Sequence, residues 1–271
     1  MTAEGTERRN DRGLALVSVL WGVSILSLMA AAMLTAAVST AYVDRNRWNA
    51  TRGGAVDDAV VNLAVLELMD DRGDHQPRVD GTPRSLVFAS VPVRLWIQDE
   101  SGKININFAD RGLLTRLFES QGASAREADD LADRILDRRN SVSERRGPGA
   151  LAFRNTDELA AIGVPPDLLA RIRPAITVYG RDGTVNMDVA PAETLLALPD
   201  MDRQSVADLI KRRNEARMAS TAAPSSSPVG GAGSTFTIVV EAHIGTARVV
   251  REAAVQFTGD RQRPYWFLSW K

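Results

Sequence analysis

The 271-residue chain has no cysteine and only two histidines, His75 and His243. Without cysteine there are no disulfides, no thiolate metal sites and no cysteine nucleophile; with two histidines a multi-histidine metal centre is out of reach. Neither absence fixes the compartment, because exported proteins need not carry disulfides. Charge of one sign is missing too. Lys and Arg number 33 against 34 Asp and Glu, a net charge of −1, so no global field favours nucleic acid or an acidic membrane surface. No nucleophile elbow, phosphate loop or metal-ligand spacing is present. His75 lies in a polar run and His243 in an alternating one, while Asp129, Asp130 and Asp133 read as a helix surface. An enzyme is therefore not expected. Apolar content of 44% with 25% charged residues is ordinary for a folded globular chain.

What stands out is one long uncharged run. No charged residue occurs from 13 to 43; Arg8, Arg9 and Arg12 precede the run, and Asp44 and Arg45 follow it. A helix needs about 20 apolar residues to cross a bilayer, and basic residues favour the cytoplasmic side, so the N-terminus is expected inside and the bulk exported. The run is too long for the apolar core of a cleaved secretory signal. It continues without a turn signal into 47–69, where Val56, Val60 and Leu63, with Ala59, Leu66 and Met69 alongside, form an apolar stripe at helical spacing. The reading is one long helix, half in lipid and half packed on a head, with Gly53-Gly54 expected to bend it.

Residues 84–98 alternate as a strand, with Val91, Val93, Leu95 and Ile97 on one face. Asp99-Glu100-Ser101-Gly102 breaks the pattern, and strand-like runs return only at 235–244, 247–257 and 265–270. A small sheet is thus interrupted by something helical, and that interruption repeats itself. Asn105-Ile106-Asn107-Phe108-Ala109, followed by Leu114 and Leu117, matches Asn186-Met187-Asp188-Val189-Ala190, followed by Leu195 and Leu198. Ile135-Leu136-Asp137-Arg138-Arg139-Asn140 matches Leu209-Ile210-Lys211-Arg212-Arg213-Asn214. Each copy reads as a polar cap, a helix, a tight turn and a second helix, with Asn107 and Asp188 as expected N-caps.

The segment Arg12-Gly13-Leu14-Ala15-Leu16-Val17-Ser18-Val19-Leu20-Trp21 resembles the class III signal of type IV pilins and pseudopilins. The resemblance implies cleavage between Gly13 and Leu14 by a prepilin peptidase, N-methylation of Leu14, and retention of the helix in the mature protein. Family members usually carry glutamate at the fifth mature position; here it is Ser18. The K-type minor pseudopilin of type II secretion is known for lacking that acid. A physical reason exists: the acid is thought to pair with the N-terminal amine of the subunit above, offsetting the cost of a charge in apolar surroundings. A tip subunit has no subunit above it. The repeated insert, with its junction from Asp99 to Asn105, resembles the helix-hairpin-helix or SAM-like insert of the same K-type proteins.

The fold expected is therefore α+β: a pilin-like long N-terminal helix packed on a small antiparallel sheet, with an inserted all-α helix-hairpin-helix domain. Its divisions are a leader (1–13), a transmembrane part of the helix (14–43), the rest of the helix with the first strand or strands (44–100), the insert (101–220), a linker (221–234) and the remaining strands (235–271). The resemblance implies an inner-membrane, single-pass subunit whose partners are the I- and J-type minor pseudopilins, with the H type as a further candidate. The major pseudopilin, the prepilin peptidase and the inner-membrane assembly platform complete the set. No cofactor is required. Calcium has a precedent in the family's soluble domains, and Asp99, Glu100 and Asp260 are the acids that could supply oxygen ligands, although they lack a loop spacing.

Two other readings stay open at this stage. One is a minor pilin of a type IV pilus. The other is a membrane-anchored helix-hairpin-helix protein for DNA binding or uptake, and three features weigh against it. The insert balances 18 basic against 18 acidic residues, so phosphate affinity has no electrostatic source. The turn Ile162-Gly163-Val164-Pro165 has one glycine and a proline that lacks an amide proton, and Leu198-Pro199-Asp200-Met201 has an acid and no glycine. Nucleic acid is not an expected partner.

Overall fold

A computed structural model describes residues 10–70, 77–180, 182–219, 233–245 and 247–271. His75, Thr246, residues 1–9 of the expected leader and residues 221–232 of the expected linker lie outside the described residues. The fold is α+β. Helix α1 (Asn10–Met69) packs its second half on a five-stranded antiparallel sheet of order β1-β2-β5-β6-β7. The strands are β1 (Arg84–Phe88), β2 (Val91–Asp99), β5 (Thr235–Ile244), β6 (Ala247–Phe257) and β7 (Tyr265–Trp270). The last three coincide with the alternating runs of the sequence. Val91, Val93, Leu95 and Ile97 are buried as the alternation predicts.

The strand pattern over 84–98 is divided into a hairpin of two strands. Phe88 pairs with Val91 across a two-residue turn, Ala89-Ser90, and both residues have positive φ, 48° and 63°. A right-twisted hairpin requires this conformation at both central positions, which glycine and asparagine usually supply. Alanine and serine give no turn signal, so the reversal was invisible in the sequence.

The apolar stripe of α1 is also rotated from its expected position. The residues buried against the sheet are Val56, Val60, Val61, Ala64, Val65 and Leu68, whereas Leu63 is 38% and Leu66 62% exposed. Close approach explains the choice of small and β-branched side chains. A Cβ at Gly53 would stand 2.6 Å from Cγ2 of Val249 on β6. The helix runs unbroken through Gly53-Gly54, so Gly53 serves contact with the sheet. Each fully buried Val or Leu contributes about 1.5–3 kcal/mol. Two ion pairs cross the seam among the described residues, Arg251 to Asp58 at 2.7 Å and Arg84 to Glu67, and both are partly solvated, so each is worth under about 1 kcal/mol. Apolar burial therefore holds the helix down.

Between the adjacent strands β2 and β5 sits the insert: β3 (Ile104–Asn105), α2 (Arg111–Ser120), α3 (Ala125–Arg146), a 3-10 segment Thr156–Ile162, α4 (Pro166–Ile172), β4 (Ile176–Thr177), α5 (Ala192–Leu195) and α6 (Arg203–Ala219). Strands β3 and β4 form a two-residue parallel pair that the sequence did not announce. The insert has its own core around Leu114, Phe118, Ile135, Phe153, Leu159 and Ile172, separate from the core between helix and sheet.

The internal repeat is real at the level of hydrogen bonds. The side chain of Asn105 accepts from the Asn107 amide at 3.0 Å, and that of Asn186 accepts from the Asp188 amide at 3.0 Å. Arg139 then donates to the carbonyls of Ile106 and Ala109, as Arg213 does to those of Met187 and Ala190. The N-caps, however, fall elsewhere. Helix α2 is capped by Asp110, whose carboxylate accepts from the Leu113 amide at 2.8 Å, and α5 follows Pro191 with no side-chain cap. Each Asn-x-x-x-Ala segment closes a turn of its own before its helix starts, so the cap lies further on. Asn107 is spent on the loop at Phe153, donating to its carbonyl and accepting from its amide, both at 2.9 Å.

Candidate functional site

The first half of α1 is the most conspicuous surface. From Leu16 onward the helix is apolar enough to cross a membrane, with a mean hydropathy of 2.1 in its best window, and that window is 0% buried. Leu16, Leu20, Trp21, Leu26, Leu28 and Met33 are all at least two-thirds exposed. Lipid tolerates polar groups only when they are satisfied within the segment, and three hydroxyls here meet that demand. Ser24 donates to Leu20 O at 2.8 Å, Thr35 to Ala31 O at 3.1 Å and Thr40 to Ala36 O at 3.0 Å. Gly13 and Leu14 fall in the first turns of the helix, and Ser18 follows one turn after Leu14 on its exposed part.

The insert is clamped to the sheet. Gln98, buried on β2, donates its amide to the Val189 carbonyl at 2.9 Å, and Val189 joins the core between helix and sheet. Asn186 N donates to Ser101 O at 2.8 Å. Arg78 donates to Asp80 and to Asn214 of α6, both at 2.7 Å. Burial opposes the charge of Asp80, but hydrogen bonds from Arg78 and Thr82 outweigh it and hold the carboxyl at about 2. Gly102 completes the joint, since a Cβ there would lie 2.7 Å from the Val189 carbonyl oxygen. Gly102→Ala is expected to cost about 1–3 kcal/mol, because a backbone atom must give way. The checking measurement is chemical denaturation of the full chain in detergent. Nothing in the one-dimensional pattern marked Gln98 or Gly102, since their partner lies some ninety residues away in the repeat.

The three candidate calcium ligands have protein partners or separate places. Asp99 caps the 3-10 turn by accepting from the Ser101 amide at 2.8 Å; burial, the larger influence, raises its carboxyl above the usual range. Glu100 is buried against Lys103 at 2.6 Å. Asp260 accepts from the Gln262 amide at 2.8 Å in its own turn. Among the described residues, no three acids or histidines converge on a cation position. A cleft of about 480 Å³ between the outer sheet face and the insert is lined by Trp96, Arg173, Tyr179, Glu193 and Lys271, among others.

The first hairpin turn is closed upon itself. Gly163, at φ 91°, donates its amide to Ala160 O, and Val164 donates to Leu159 O. Asp200 takes the left-handed conformation in the second turn, with φ 61°. Phosphate binding by a helix-hairpin-helix turn needs amides pointing outward; the two at Gly163 and Val164 are already bonded inside the turn.

No protein-family model matches the chain, and no curated protein matches it. Among solved structures, a chain of the GspK-GspI-GspJ complex from the enterotoxigenic Escherichia coli type 2 secretion system aligns with 87% of this chain and 98% of that one. The sequence identity is 11% and the TM-score 0.48. At that distance nothing about partners passes from one chain to the other.

Proposed function

We propose that the chain is a K-type minor pseudopilin, the tip subunit of a type II secretion pseudopilus. The observation that carries the reading is the wholly exposed, uncharged helix emerging from a small sheet-bearing head, with serine where an acid would need a neighbour above. In this role a prepilin peptidase cuts between Gly13 and Leu14 and methylates Leu14. The subunit then waits in the inner membrane, N-terminus in the cytoplasm and head in the periplasm. Helix α1 packs along the helices of I- and J-type minor pseudopilins, and the tip complex primes the major pseudopilin through the inner-membrane platform. Polymerisation draws the helix from lipid into the filament, exchanging one apolar environment for another at little cost in burial. The insert, clamped at Gln98, Gly102 and Arg78, rides as a rigid cap.

The test is co-purification. Full-length chain extracted from membranes is expected to bring down the I- and J-type subunits encoded beside it, at equal stoichiometry. Recovery of the chain alone, in a strain where those two subunits recover each other, contradicts the tip role.

A further inference from the structure

One buried acid in the seam between α1 and the sheet is left without a hydrogen-bond partner. Asp57 is fully buried on the sheet-facing side of α1, among Val56, Val60 and Val61, and neither carboxylate oxygen has a hydrogen-bond partner. A buried ionised carboxylate without a partner is costly, and protonation is the usual relief. The charged groups around it are few. Among the described residues Arg251 on β6 is the cation at hand, but its Nε donates to Asp58 at 2.7 Å and its guanidinium lies 5.8 Å from the Trp270 ring centroid. Asp58, next along α1, and Glu241 on β5 both add negative potential. Glu241 is itself held on the far face of the sheet by Arg248 at 2.9 Å and His243 at 3.2 Å, with Arg94 opposite it on β2.

We propose that Asp57 is a proton-controlled latch: neutral, it lets α1 lie closed on β5 and β6, and ionised, it loosens that seam by competing with Asp58 for Arg251. Burial is the chief influence on Asp57, ahead of the attraction of Arg251, and brings its carboxyl up to about 7. The sign follows from linkage. An acid whose folded pKa is raised carries no penalty below its unfolded pKa, near 4; the penalty grows as pH rises and is complete above about 7. The head is thus tightest in mild acid and looser in mild alkali, opposite to the behaviour of a salt-bridged carboxylate. Since α1 is the element that joins membrane and head, the latch sets how firmly the head holds its own anchor.

The test uses the full chain in detergent micelles with carboxyl-13C aspartate. In the wild type, Asp57 is expected to titrate at about 7, well above an exposed aspartate, and the melting temperature to fall by about 5–10 °C between about pH 5 and about pH 8. Asp57→Asn is expected to abolish most of that fall. Asp58→Asn, which frees Arg251, is expected to lower the titration point of Asp57. An Asp57 carboxyl titrating near 4 overturns the proposal, as do parallel melting profiles for the wild type and Asp57→Asn. If Asp57→Asn does not fold, the wild-type titration decides by itself.

Discussion

With alanine at position 13 the chain is expected to keep all 271 residues, remain in the inner membrane and support no secretion. On the proposed reading a prepilin peptidase cuts after Gly13, and a residue without Cβ there lets the enzyme's backbone come close to the scissile peptide. The expected wild-type product is a chain lacking residues 1–13 with one methyl group on the Leu14 amine. Intact-mass measurement separates it from the precursor, and a secretion assay gives the functional reading. The effect is all-or-none because it acts before assembly: the uncut leader carries Arg8, Arg9 and Arg12. Each of those at bilayer depth costs about 2.5–3.5 kcal/mol on insertion scales, so the precursor helix cannot leave the membrane for a filament. Normal trimming of Gly13→Ala with full secretion would remove the pseudopilin reading. Loss of secretion with normal trimming would point instead to a packing role for Gly13.

Which parts of this molecule can be read from its sequence depends on the range of the interaction that fixes them. The strands β5, β6 and β7 were legible because a half-buried strand writes its two faces into alternating residues, and the uncharged run of α1 was legible by length. The repeat could be aligned because both copies satisfy the same local requirement, an asparagine turn followed by an apolar helix. Its chemistry was not legible: that Arg139 and Arg213 close the two turns depends on helices α3 and α6 folding back over them. The same holds for the sheet-facing side of α1. Leu63 and Leu66 are better hydrophobes than Ala64 and Val65, and composition alone favours them; the short distance at Gly53 selects the smaller set. Asp57 was hidden for a related reason. In a helix with Asp58 beside it, an acid reads as solvated surface, and only the position of the sheet shows that one of the two points inward.

Arg139→Ala is expected to damage the insert severely, at about 2–4 kcal/mol. Its guanidinium donates to the carbonyls of Ile106 and Ala109, and both residues are 1% exposed. Truncation leaves two buried acceptors unmade, each worth about 1–3 kcal/mol, and removes the covering stem. Burial works against the charge and brings Arg139 down to about 10, still protonated at neutral pH, so the charge-assisted bonds are present under ordinary conditions. Arg139→Lys is expected to recover less than half, since a single ammonium cannot reproduce the planar fork that spans two carbonyls. Arg213→Ala, the matching change in the second copy, is expected to cost only about 1 kcal/mol. There the Met187 acceptor is 41% exposed, the Arg213 Nε has no partner, and the cluster behind it is small. The distribution of tryptophan makes the measurement selective. All five, Trp21, Trp48, Trp96, Trp266 and Trp270, lie on α1 or the sheet and none on the insert. In a denaturant titration of the full chain, far-ultraviolet circular dichroism therefore follows the insert helices as well as α1, while tryptophan fluorescence follows α1 and the sheet, with Trp96 also sensing the cleft against the insert. Arg139→Ala is expected to shift the first transition and leave the second nearly in place; a common shift would mean that the clamp at Gln98 and Gly102 makes head and insert unfold as one unit.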